Sequence, residues 1–200
     1  MGLAWEDLAS ALRDRSVVRV PDTTLRRAAV AVVLKDGSRG LEILFIRRAE
    51  HPHDPWSGQM AFPGGRMEPG DAELRNTAVR ETAEEIGLDL GSADFLGALD
   101  EVRAMARLRP MNLAIAPFVF RLHKDSPLRL SDEVTSAHWL PLEELLSTRH
   151  LSSLDYDHQG QPLRFPCLRY EGVVIWGLTY RMFASLQEAL AGAGAARDAS

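Results

Sequence analysis

An α/β fold is predicted from three features of the 200-residue sequence. Short β-branched and apolar runs read as strands, stretches of helical period lie at both ends and in the middle, and 46% hydrophobic content is enough for one core. With no break in composition, residues 1–200 are expected to form a single domain.

The elements follow in order. Trp5, Leu8, Ala9 and Leu12 recur with helical spacing, which predicts a short amphipathic helix over residues 4–13. AAVAVVLK (28–35) and LEILFIRR (41–48) read as two largely buried strands, joined as a hairpin by KDGSRG. Residues 51–70 hold Pro52, Pro55, Pro63 and Pro69 with Gly58, Gly64, Gly65 and Gly70, too many for a regular element. Trp56, Met60 and Phe62 make the same stretch too apolar for a disordered linker, so it is expected to be an ordered, functional loop.

Asp71 is placed to cap a helix that ends at Gly87, a residue suited to the position after a helix C-terminus. Leu74, Ala78, Thr82 and Ile86 would be its core stripe. Residues 95–99 and 113–122 read as strands joined by the basic segment EVRAMARLRP, and 138–146 as a strand end followed by a short helix. Ile175, Leu178, Met182, Phe183, Leu186 and Leu190 predict a C-terminal helix, with AGAGAARDAS fraying beyond it.

The formal charge of −5 suggests neither a nucleic-acid groove nor an anionic membrane surface. The lone Cys167 cannot form an intrachain disulfide, the N-terminus carries acidic residues where a signal peptide needs basic ones, and no apolar run approaches 18 residues. A cytoplasmic protein without membrane or nucleic-acid partners is expected, either a monomer or a homodimer. A phosphate-bearing substrate would then need metal ions or local arginines.

RETAEEIG (80–87) packs Glu81, Glu84 and Glu85 beside Arg80. At about 100° per residue the three carboxylates fall within about a 100° arc of one helix face, and like charges so placed cost a few tenths of a kcal/mol or more. A solvated face with an Arg80–Glu84 pair is one account of the motif. Its position after FPGGR favours another, a hard-cation site, because Mg²⁺ or Mn²⁺ prefers oxygen ligands and shares them with substrate phosphates. Arg80 would hold one glutamate by a bidentate bond, and Gly64 and Gly65 would let backbone approach a metal or phosphate closely.

Gly65, then RMEPG, Asp71, eight residues and RETAEEIGL resembles the signature of the Nudix hydrolases. Two departures, Asp71 in place of a glutamate and one extra residue before Arg80, are similar to the subgroup that acts on coenzyme A and its derivatives. So are GQMAFPGG (58–65), APFVF (116–120), DEV (132–134) and IWGLT (175–179), and the resemblance covers roughly 28–190. Upstream, Asp54 stands where that subgroup has a second arginine after the one matched by Arg48, and the spacing back to Arg48 is one residue longer.

The resemblance implies an α/β/α sandwich with a mixed β-sheet. It also implies metal-dependent hydrolysis of a small-molecule diphosphate, of coenzyme A type or, alternatively, a nucleoside diphosphate sugar, ADP-ribose or a nucleoside triphosphate. A nucleotide-sensing module without catalysis is the reading from another class. Mg²⁺ or Mn²⁺ would be held by Glu81 and Glu85, with Glu84 either a third ligand or the group that takes a proton from the attacking water. Glu133 is the candidate base outside the motif.

Arg48, Phe62, Gly64, Gly65 and Arg103 are the candidate substrate contacts. Arg103, Arg107 and Arg109 supply either phosphate contacts or a solvated loop, and Phe62 and Trp176 either pocket or core. The six histidines share no helical face, so no zinc site is expected, and Cys167 has no base partner visible in the sequence.

Overall fold

The structure, a computed structural model, describes residues 3–198 except 14, 107, 159 and 160, and no side chains at 158 or at 193–198. Arg107, the His158 side chain and residues 199–200 therefore lie outside the described residues.

The sheet is mixed. Its strands are β1 (Arg26–Gly37), β2 (Gly40–Arg48), β3 (Met60–Ala61), β4 (Gly64–Arg66), β5 (Asp94–Ala98), β6 (Val102–Ala106), β7 (Arg109–Leu122) and β8 (Val134–Pro141). They run in the order β3-β2-β1-β7-β5, with β4 also on β1, β6 on β7 and β8 on β2. β1 and β7 are parallel, and the other pairs are antiparallel.

β1 is a nearly continuous apolar run because both of its faces are covered. Val30, Val32 and Leu34 face a core shared with Leu8 and Leu12 of α1 (Trp5–Arg13) and Met182, Phe183 and Leu186 of α4 (Gly177–Asp198). Ala29, Ala31 and Val33 face a second core with Ala78 and Ile86 of α2 (Leu74–Ile86). Helices on both faces make the α/β/α arrangement. A short helix, α3 (Leu142–Leu146), follows β8.

The expected β1–β2 hairpin forms with Gly37 opposite Gly40. On α2, Ala78, Thr82 and Ile86 are fully buried at i,i+4 spacing, with Leu74 packed beside them. Gly87 ends α2 in the left-handed region, φ 67°, its N–H bonded to the Ala83 carbonyl at 2.9 Å.

Three expectations are corrected, and one element that the sequence reading did not anticipate is added. The basic segment after residue 100 is not a loop: β6 pairs with β7, burying Val102 and Ala104 while Arg103 points outward, a period-2 pattern masked by the charges. Ile175 belongs to β11 (Val173–Trp176), and α4 begins only at Gly177. The helix also runs on to Asp198 rather than fraying after residue 190. Finally, residues 151–176 build a second sheet, β9 (Leu151–His158), β10 (Gln161–Tyr170) and β11, in the order β11-β10-β9.

Candidate active site

The Pro/Gly-rich loop returns to the sheet through β4, whose Gly64 and Gly65 pair with Val30 and Ala29 of β1. Only glycine fits at Gly64: its φ is 152°, and a Cβ would lie 2.2 Å from the Ala29 carbonyl oxygen. A Cβ on Gly65 would lie 2.4 Å from the Glu81 carboxylate. The close approaches these glycines permit are thus to β1 and to α2. Their effect is to seat the backbone of β4 against the carboxylate face of the helix.

Glu85 is 4% exposed, and its carboxylate accepts the Gly64 N–H at 2.9 Å. Burial raises its pKa to about 7; the Gly64 N–H and Arg48 oppose the rise, and Glu81 and Glu133 add to it. Glu81 is also pushed up, first by burial, with Arg80 pulling the other way and Glu84 and Glu133 assisting. Glu84 is different, with 58% of its side chain exposed and a bond from Arg80 Nη1 at 2.9 Å.

Arg80 organises this face. Its Nε and Nη2 make the two-pronged bond to Asp71, at 3.1 and 3.0 Å, while Nη1 reaches Glu81 at 3.0 Å as well as Glu84. The fork therefore grips Asp71 and not a glutamate. Asp71 is not the helix cap either: that position is Glu73, which makes no side-chain capping bond. Asp71, its side chain 6% exposed, also accepts from the Thr77 hydroxyl at 2.9 Å and the Glu68 N–H at 2.9 Å. The Arg80 bond holds the Asp71 carboxyl well below the usual carboxylate range and keeps the guanidinium firmly protonated.

These groups line a cleft of about 680 Å³ together with Arg48, Phe62, Gly64, Gly65 and Glu133. Glu133 is exposed, and its carbonyl accepts the Ala49 N–H at 2.8 Å, tying its loop to the end of β2. Arg48 is engaged by Asp54, its Nη2 2.7 Å and its Nε 2.8 Å from one carboxylate oxygen. The substitution noted in the sequence thus cancels the charge of the arginine beside it.

Phe62 reaches the cleft wall, yet it is 2% exposed and stacked on Phe45 at 4.8 Å, so packing is its main contribution. Arg103 does not reach the cleft; its Nε donates to the Met111 carbonyl across the β6–β7 hairpin at 3.2 Å. His51 and His53, which the sequence did not single out, are exposed and line the cleft.

Among the described residues no three His, Cys, Asp or Glu side chains converge in a metal-holding group. The reason lies in the bonds above, since Arg80 draws Glu81 and Glu84 toward itself while Glu85 stays on Gly64. The donor chemistry still fits a hard cation. Two desolvated carboxylates, Glu81 and Glu85, sit one helical turn apart with pKa values raised chiefly by burial.

The family model for the NUDIX domain matches residues 25–158. The chain belongs to the Nudix family. The Nudix hydrolase NudL, itself uncharacterized, of Yersinia pestis strain Pestoides F is 33% identical over 170 residues, 82% of this chain and 80% of the relative; the same figures hold for NudL of Yersinia pseudotuberculosis strain IP 31758. Among solved structures, an Ap4A hydrolase binary complex from C. elegans aligns with TM-score 0.51 at 21% identity, over 60% of this chain and 82% of that one. A MutT protein from Methanosarcina mazei Go1 aligns with TM-score 0.50 at 17% identity, over 92% and 99%. These two carry the Nudix fold. No helix among the described residues is long and apolar enough to cross a membrane.

Proposed function

We propose that this Nudix chain hydrolyses a diphosphate bond in a small-molecule substrate of coenzyme A type or a related nucleotide. The observation that carries the reading is the seating of β4 on α2, which leaves Glu81 and Glu85 desolvated at the base of the cleft beside a fixed Arg80. Glu81 and Glu85 are the residues that would hold Mg²⁺ or Mn²⁺, with Glu84 joining them when it leaves Arg80. When bound, the cation supplies charge neutralisation for the diphosphate.

The chain's own residues do the rest. Gly64 orients Glu85 through its N–H, and the Asp71–Arg80 fork fixes the face on which Glu81 stands. Glu133, exposed at the cleft and close enough to influence both Glu81 and Glu85, would accept a proton from water entering the cleft. Glu84 is the other candidate for that role.

A second reading changes the substrate to ADP-ribose, a nucleoside diphosphate sugar or a nucleoside triphosphate. The Arg48–Asp54 pair favours it, because a neutralised Arg48 has little to offer an additional phosphate such as the 3′-phosphate of coenzyme A.

Incubation with coenzyme A, ADP-ribose and dNTPs in Mg²⁺ or Mn²⁺, with products read by mass, separates the two. Release of 3′,5′-ADP and 4′-phosphopantetheine supports the first, and turnover of ADP-ribose or dNTPs alone supports the second. Tight binding without any product would overturn both in favour of a sensing module.

A further inference from the structure

The loop that leaves β2 carries two exposed histidines, His51 and His53, which line the carboxylate cleft and stand apart from the glutamates of α2. We propose that this pair binds a phosphate oxygen of the substrate at the mouth of the cleft, in the place of the arginine that Asp54 engages, and so sets how tightly a diphosphate is held. The inference rests on the diphosphatase reading of the cleft. It adds a phosphate contact that comes neither from the helix carboxylates nor from a metal they would hold.

The charge of the cleft calls for such a contact. Glu81, Glu84, Glu85 and Glu133 line it, and two of its three arginines are already engaged: Arg80 by Asp71, Glu81 and Glu84, and Arg48 by Asp54. Arg66 on β4 and the two imidazoles are the basic side chains that remain on its walls among the described residues. Arg66 sits on the strand packed against α2, so the loop side of the cleft depends on the histidines.

The loop holds the pair in a fixed arrangement. The His51 N–H donates to Ser57 Oγ at 2.8 Å, the Asp54 N–H to the His51 carbonyl at 3.1 Å, and the His53 N–H to His51 Nδ1 at 3.3 Å. The last bond decides the chemistry of His51. An Nδ1 that accepts leaves the proton of the neutral ring on Nε2, so the far nitrogen is a donor without further protonation. The two ring centroids are 5.8 Å apart. That spacing is of the order of two charge-assisted bonds placed end to end, about 2.7–2.9 Å each, so one phosphate group between the rings takes a bond from each. Farther along the loop, the second oxygen of Asp54 accepts the Trp56 N–H at 3.0 Å. Trp56 belongs to the wall that the cleft shares with an adjoining cavity of about 360 Å³, lined by the rings of Tyr156, Phe165 and Trp176. The histidines thus stand on an anchored segment.

Side chains that keep one end of the ring separate a phosphate contact from support of the loop. Asparagine at position 51 keeps an acceptor near Nδ1 for the His53 N–H and removes the Nε2–H donor, whereas glutamine keeps a donor near Nε2 and gives up the acceptor. The full-length protein in Mg²⁺ is titrated calorimetrically with α,β-methylene-ADP, whose P–C–P bridge water does not cleave. Binding is expected, and His51→Asn and, separately, His53→Asn should weaken it by roughly 5- to 50-fold, as for one lost bond to a charged group, while His51→Gln largely keeps it. With coenzyme A, ADP-ribose or dNTPs as substrate, the asparagine variants should raise KM by a similar factor and leave kcat within about twofold, the mark of lost uniform binding. Thermal melts confirm folding, and His53→Asn serves if His51→Asn is compromised. Unchanged affinity in the folded asparagine variants, a loss in His51→Gln as large as in His51→Asn, a fall in kcat at unchanged KM, or no analogue binding to the unsubstituted protein overturns the proposal. A protein that hydrolyses diphosphates yet gives one of these results loses the histidine contact and keeps the proposed activity. Analogue binding that weakens as expected in a protein that turns over no diphosphate keeps the contact and sinks the diphosphatase reading instead.

Discussion

Replacing Asp71 by asparagine tests the helix-cap role expected from the sequence against the Arg80-anchoring role seen in the structure. As a helix cap, asparagine is as good as aspartate, so Asp71→Asn would be close to neutral. In the structure Asp71 instead receives two bonds from Arg80, at 3.1 and 3.0 Å, on a carboxylate whose side chain is 6% exposed. The asparagine keeps one acceptor oxygen and loses the second, together with the charge. The deficit is that of a charge-assisted bond at a largely buried site, about 2–3 kcal/mol. In a chain of this size that lowers Tm by roughly 4–12 °C.

The pH dependence has a definite sign. The folded pKa of Asp71 is depressed by Arg80, so its contribution is fully present above the unfolded carboxylate value of about 4 and is lost as pH falls below it. Chemical denaturation of both proteins between pH 7 and pH 3 should therefore show a stability gap that is constant above about pH 5 and narrows on acidification. A Tm change under about 1 °C, or a gap that widens in acid, would refute the anchoring role of Asp71.

Gly64→Ala should destabilise by about 2 kcal/mol or more and abolish activity, because a Cβ there meets the Ala29 carbonyl at 2.2 Å with φ at 152°. Gly70→Ala, with nothing within 4 Å, is the near-neutral control in the same thermal melts. Glu85→Gln keeps an acceptor for the Gly64 N–H while shedding a desolvated charge; kcat should fall roughly 10²–10³-fold with Tm held or raised, and retained activity would remove Glu85 from the mechanism. Asp54→Asn releases Arg48 while still accepting the Trp56 N–H, and should lower KM for coenzyme A relative to its 3′-dephospho form by about fivefold; an unchanged ratio would show that Arg48 does not meet the 3′-phosphate.

Where sequence reading succeeded on the fold, a single periodicity governed the segment. β1 and β2 are apolar because both faces are covered, and α2 shows its stripe at 78, 82 and 86 because one face meets the sheet. The failures lie where two signals overlap. β6 alternates buried Val102 and Ala104 with exposed Arg103, but three arginines over residues 103–109 mask so short an alternation. Ile175 falls on the helical period of α4 yet belongs to the strand before it, because the chain turns at Gly177, φ 63°, between two buried elements. The second sheet has no clear mark in the sequence because β9 and β10 are mostly exposed, with no apolar run to signal them.

The site was legible in its residue types and not in its pairings. A carboxylate cluster on a helix can be inferred from spacing alone, whereas the partner of Arg80 lies nine residues away across a turn, and that of Arg48 lies inside a loop with no period. Both pairs use an aspartate that departs from the family pattern, and in each the departure is chemically coherent. At position 71 the shorter carboxylate closes on Arg80, Thr77 and the Glu68 N–H at once, making a rigid brace for the face that carries Glu81. At position 54 it occupies the guanidinium that would otherwise project into the cleft, and its other oxygen fixes Trp56 on the wall shared with the aromatic cavity. One aspartate thereby engages the arginine at the cleft and fixes the wall that the cleft shares with the adjoining ring-lined cavity, so the two features of the surface are coupled through a single side chain.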